Sequence, residues 1–173
     1  MMLATDDREV VTVQIGRRPY QGAEVVSRCH LDLPVVIKVP PILEDGTPFP
    51  TLYWLTCPLA STRIGRLESG GGVRRMEGKA SSDPLFAGDL AQANDDYRRE
   101  RDSEVAEGAD PSPHGGVGGA EGGVKCLHAH YAHTRAGGAN PVGDLVASWV
   151  EPLDCAERCV VGGEINPDWV NRP

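Results

Sequence analysis

The sequence predicts an α+β fold, a small antiparallel sheet of about three strands covered by three to five helices, with a Gly-rich loop. Two patterns carry that expectation. Between residues 22 and 56, short β-branched and apolar runs alternate with Gly, Pro and Asp turns. From residue 57 onward, Pro at a first helical turn recurs at the head of longer stretches, as helix starts require. Composition adds a third: aromatics are 5% of the residues while Gly numbers 21 and Pro 14, so an aliphatic core with much loop is expected. At 173 residues the chain is long enough for one domain with a real core, here 1–173.

The elements follow in order. Residues 6–16 carry Val10, Val11, Val13 and Ile15, which favour a strand, but Asp6 and Asp7 ahead of them and Gly16 behind are helix start and stop signals, and helix is favoured. GAEVVSRC (22–29) predicts a strand ending at Cys29, PVVIKVPP (34–41) a second, and TLYWLT (51–56) a third. The last two are expected to pair across the Asp45-Gly46 turn. Cys57-Pro58 opens a helix that runs to a Gly-rich stop, with Leu59, Ile64 and Leu67 near one side. A second helix starts at Ser82-Asp83-Pro84 and continues to about residue 107. Residues 108–123 predict a flexible loop. Their glycines do not fall in a G-x-G-x-x-G register, and no strand precedes them, so no dinucleotide site is expected. A third helix covers 124–136, a fourth covers 140–150 with Asn140 as cap, and 160–173 is expected to be an irregular tail.

A net charge of −8 argues against a broad nucleic-acid footprint. Arg63, Arg66, Arg74 and Arg75 are best read as a solvated helix face, as is Lys125, and Tyr53, Trp54 and Trp149 as core. No apolar run approaches the roughly 18 residues that span a bilayer, and MMLATDDREVV lacks the basic and apolar regions of a secretory signal. Cytoplasmic residence and no membrane partner are expected; a small-molecule or protein partner stays open. Reduced thiols follow from that compartment, and five cysteines fit poorly with a fully paired disulfide framework.

Chemistry concentrates in VKCLHAHYAH, where Cys126, His128, His130 and His133 crowd together. Thiolate and imidazole together suit zinc first, with iron and copper behind. On a helix turning about 100° per residue, Cys126, His130 and His133 fall at roughly 0°, 40° and −20°, with His128 opposite. A non-helical first turn would instead pair Cys126 with His128. Cys29 or Cys57, each at a strand end, is the natural further ligand. Cys155 and Cys159 form a looser pair near the C-terminus. Cys57 also sits where a helix N-terminus favours thiolate, half of a nucleophile–base pair if a histidine is near. The bland alternative is exposed histidines and cysteines packed as small hydrophobes. Glu68, Asp95 and Asp96 are possible acids or ligands that spacing does not single out.

The segments DGTPFPTLYWLTCP (45–58), Arg28-Cys29, VKCLH (124–128) with His133 beyond, and NPVG (140–143) resemble the bacterial domain-of-unknown-function family 501 over roughly residues 10–160. The Ile15-Gly16-Arg17 run and Cys159 are similar too. That resemblance implies a small cytoplasmic protein with no established reaction. Its members' gene neighbours, a septum-formation protein and an exopolyphosphatase, hint at cell division or phosphate metabolism. The family pattern matches Cys29, Cys57, Cys126, His128 and His133, and not His130.

Three functions follow as expectations. One is a zinc-binding protein with Cys29, Cys57, Cys126 and His128 or His133 as ligands, acting as a metal-dependent hydrolase if a coordination position is open. A second is an enzyme with Cys57 as nucleophile and His128 or His133 as base. The third is a noncatalytic interaction module in cell-envelope or division machinery.

Overall fold

Consecutive apolar residues without alternation belong in a strand covered on both faces, and PVVIK becomes one. In the computed structural model, β2 (Pro34–Lys38) lies between β1 (Glu24–Arg28) and β3 (Tyr53–Leu55) in an antiparallel sheet. The structure describes residues 3–105, 107 and 109–171; the ends of the expected 1–173 domain and position 108 of the expected loop lie outside them. The expected hairpin forms, with Val36 opposite Leu55, Ile37 opposite Trp54 and Lys38 opposite Tyr53.

One face of the sheet, through Ile37 and Val39, packs on Val11 of α1 (Thr5–Ile15). The valine-rich segment is helical as its end signals indicate, stopped by Gly16 in the left-handed conformation. The other face, through Val36, Tyr53 and Leu55, packs on the remaining helices. These are α2 (Pro58–Ser69), α3 (Gly72–Ser82), α4 (Pro84–Ser103), α5 (Leu127–Arg135) and α6 (Pro141–Val150). The α+β class holds, with one helix beyond the expected range. That helix is α3, whose polar sequence carries only a thin stripe: Met76 is buried, and Val73 and Ala80 pack beside it.

Two other segments differ from expectation. The described part of the glycine-rich stretch is anchored: Val117 is fully buried, its N–H donates to Asn94 Oδ1 at 2.9 Å, and Arg101 Nη1 donates to the carbonyls of His114 and Gly115. In the tail, β4 (Val160–Val161) and β5 (Glu164–Ile165) form a small hairpin. Trp149, expected in the core, is 46% exposed on α6. Among the described residues no helix is long and apolar enough to cross a membrane.

The placement of α5 is set by Asn140. Its side-chain oxygen caps α6 by accepting from the N–H groups of Val142 and Gly143, and also accepts from His130 Nδ1 at 3.0 Å. Its amide nitrogen donates to His133 Nδ1 at 3.2 Å. One amide therefore caps α6 and grips two histidines of the preceding helix, α5. Gly143 lets the helices meet, because a Cβ there would lie 2.3 Å from the His130 carbonyl oxygen. His133 completes the layer, stacked on Tyr53 at 5.9 Å and edge-on to Tyr97 at 5.2 Å.

Asn140→Ala removes the cap and strands buried imidazole groups, so a loss of about 2–4 kcal/mol in denaturant unfolding is expected. A second expectation concerns acid. Burial lowers the His130 pKa to about 4, and burial also lowers that of His133. The unfolded chain takes up these protons below about pH 6.5 while the folded chain does not, so stability falls as pH drops from there towards 4. His130→Asn keeps a donor for Asn140 and should flatten that slope; an unchanged slope would show that His130 does not contribute.

Candidate functional site

The first turn of α5 and the last turn of α2 meet edge to edge. Cys126 is the N-cap of α5, with extended backbone (φ −155°, ψ 124°) and no side-chain capping bond of its own. The cap comes from α2: Glu68 Oε1 accepts from Leu127 N–H at 2.6 Å. A carboxylate in the final turn of a helix faces the negative end of its own dipole, so Glu68 sits poorly with respect to α2. The positive start of α5 compensates.

His128 closes the group. Its Nδ1 lies 3.2 Å from Glu68 Oε1 and 3.7 Å from Cys126 Sγ, while its Nε2 donates to the Ser61 carbonyl at 3.2 Å. Burial opposes a charge on the ring, yet the Cys126 sulfur, the Glu68 carboxylate and the Ser61 carbonyl outweigh it and push the pKa up to about 9. One donor atom from each of Glu68, Cys126 and His128 lies within 4.8 Å of the others, and all three residues are half-buried. Cys126 and His128 open onto a cleft of about 390 Å³ whose other walls include Tyr53, Trp54, Leu55, Gly118 and Ala129.

The other expected residues lie elsewhere. Among the described residues the converging group includes neither Cys29, Cys57 nor His133. His133 is 2% exposed in the aromatic layer, and His130 is fully buried with Nε2 unpartnered. The helical wheel favoured His130 and His133 over His128 because it treated Cys126 as helical. With Cys126 extended, the non-helical alternative is the one that forms, and Cys126 meets His128. Cys57 does cap α2, but the expected acidification is reversed: burial pushes its thiol up to about 12, against the pull of the Ala60 and Leu59 N–H groups. Arg63, assigned to a solvated face, instead donates to the carbonyls of Val150 and Pro152 and to Asp154, fastening the tail to α2.

Glu68 is the member that spacing did not select. Its one sequence signal is an acidic residue just before a glycine stop, at a helix end where the dipole disfavours it.

The profile of the family described as "Protein of unknown function (DUF501)" matches residues 25–148. That span contains Glu68, Cys126 and His128 and ends before Cys155. No curated protein and no solved structure matches the chain.

Thiol chemistry checks the placement of the cysteines. Cys29, Cys126 and Cys155 are half-buried, whereas Cys57 and Cys159 are buried with pKa values raised by burial. In metal-free protein at pH 8, peptide mapping after limited alkylation should show Cys57 modified at least about tenfold more slowly than Cys126. Comparable rates would show that Cys57 is not shielded as described.

Proposed function

The chain belongs to the family described as "Protein of unknown function (DUF501)", and from that premise we propose that Glu68, Cys126 and His128 form a zinc site with a position open to the cleft. The observation that carries this reading is the convergence of a carboxylate oxygen, a thiol sulfur and an imidazole nitrogen within 4.8 Å of one another beside a 390 Å³ cleft. Oxygen, nitrogen and sulfur ligands are the ones zinc takes, and three protein ligands with a vacant fourth position suit catalysis.

Two details support a metal over a proton relay. In a nucleophile–base–orienter triad, the nucleophile and the carboxylate engage opposite nitrogens of the histidine. Here Cys126 and Glu68 both face Nδ1. The other nitrogen, Nε2, donates to a backbone carbonyl, which is how a metal-ligating histidine is commonly oriented. A bound zinc would supply Lewis acidity and lower the pKa of a water at the open position, which suits hydrolysis. The chain's own contribution is positional: Ser61 fixes the His128 ring, Leu127 N–H orients Glu68, and the Tyr53 and Trp54 walls hold apolar or aromatic parts of a substrate.

Zinc competition titrations of purified, reduced protein provide the test. Cys126→Ser and His128→Gln are each expected to weaken one zinc equivalent by more than about tenfold, and Glu68→Gln to weaken the same equivalent. Unchanged zinc affinity in all three variants would sink the site. Hydrolysis of a panel of nitrophenyl esters and phosphates should depend on that equivalent; turnover that survives chelation would refute the hydrolase part.

A further inference from the structure

The four cysteines outside that site share a place of their own. Cys29 follows β1, Cys57 precedes α2, and Cys155 and Cys159 lie beyond α6, yet all four line one narrow cavity of about 10 Å³. Leu33, Leu59, Leu153 and Trp169 are among its other walls, so the surroundings are largely apolar.

Cysteines that merely fill a core have no need of hydrogen-bond donors. Two of these sulfurs have them. Trp169 Nε1 donates to Cys155 Sγ at 3.3 Å, and Gln14 Nε2 donates to Cys159 Sγ at 3.7 Å. Cys57 feels the Leu59 and Ala60 N–H groups at the positive start of α2. N–H groups aimed at sulfur are the outer-shell partners of metal-bound thiolates, and they offset the negative charge that such a site carries.

The tail is held by a small apolar cluster and scattered polar contacts. Its strands are two residues each, and among the described residues its cluster has Leu33, Cys159 and Val160 as buried members, with Val10, Val13, Cys29 and Trp169 packed on them. Arg63 and the bond between His30 Nε2 and the Cys155 carbonyl pin its first part. Val10 and Val13 of α1 pack against the hairpin, and small apolar contacts of this kind are the ones a structural metal reinforces in small folds.

We propose that Cys29, Cys57, Cys155 and Cys159 form a closed four-thiolate zinc site that clamps the C-terminal hairpin to the sheet and α2, separate from the Glu68 site. Four sulfurs without an open position make a structural centre. No three of them lie within 4.8 Å of one another, so binding draws the sulfurs inward around the cavity as the thiol protons are released to solvent. Cys29, Cys155 and Cys159 all lie on segments outside the helices and strands.

Zinc alone, added to the full reduced chain, is the probe. Wild-type protein should bind about two equivalents, Cys126→Ser should retain one, and Cys155→Ser and Cys159→Ser should each lose the other. If the latter variants fail to fold, alkylation of the wild type decides. Cys29 and Cys155, both half-buried, should be protected in zinc-loaded protein and react at least about tenfold faster after chelation. Cobalt in the Glu68→Gln variant should give the charge-transfer absorption of an all-thiolate site. The proposal is overturned if Cys29 and Cys155 react equally with and without zinc. It is also overturned if the only zinc bound is lost in Cys126→Ser, or if mass spectrometry of aerobically purified protein finds these cysteines joined as disulfides.

Discussion

The arrangement depends on the side-chain amide of Asn140. A helix of nine residues, α5, would be marginal alone, and here its orientation follows from two histidines held by one amide. The Asn140 oxygen accepts from His130 and from the first turn of α6, and its nitrogen donates to His133. Each of these groups is buried, so losing one leaves the others unpaired at a cost larger than that of a surface bond. His133 carries the constraint onward through its stack on Tyr53 to the sheet. The histidines at 130 and 133 thus aim the helix, which leaves His128, two residues before His130 and on another side, turned towards Glu68, Cys126 and the Ser61 carbonyl.

Charge placement at the site follows from that aim. The start of α5 arrives at the end of α2, where Glu68 is disfavoured by its own helix and welcomed by its neighbour's Leu127 N–H. His128, half-buried between Glu68 and the Ser61 carbonyl, gains more from its partners than it loses by burial. The contrast with His130, two residues on, is one of partners. His130 meets a neutral amide on one nitrogen and, among the described residues, nothing on the other, and burial, with His133 nearby, outweighs the Asn140 bond and lowers its pKa.

Much of this was legible in the residues. Caps and stops read correctly because their causes are local: Asn140-Pro141, Asp83-Pro84 and Gly16 each act within a turn. The β2–β3 hairpin was legible for the same reason. Membership of Cys126 and His128 in one site was half legible, since the pair was foreseen only if the helix began after Cys126, and that one-residue boundary is where sequence patterns are weakest. Glu68 was considered but not selected, because its meeting with Leu127 depends on how α2 and α5 pack and on nothing nearby in the chain. Arg63 was misread in the same way: its three tail partners lie about ninety residues on, beyond any helical pattern.

Helix α2 joins the two cysteine-bearing regions, and its polarity fits both. Its N-terminus bears Cys57 at the thiol-lined cavity, and its C-terminus bears Glu68 at the cleft, roughly 16 Å apart at 1.5 Å per residue. In the proposed four-cysteine site, thiolates at the first end would gain from the helix dipole what burial of Cys57 alone takes away. A carboxylate at the second end does not gain from the dipole, and needs a positive partner, which α5 and His128 supply. Between them Ser61 orients His128 and Arg63 holds the tail. A shift of α2 along its axis would therefore disturb both clusters at once. That coupling follows from sharing one rigid helix, and requires no conformational switch between the two ends.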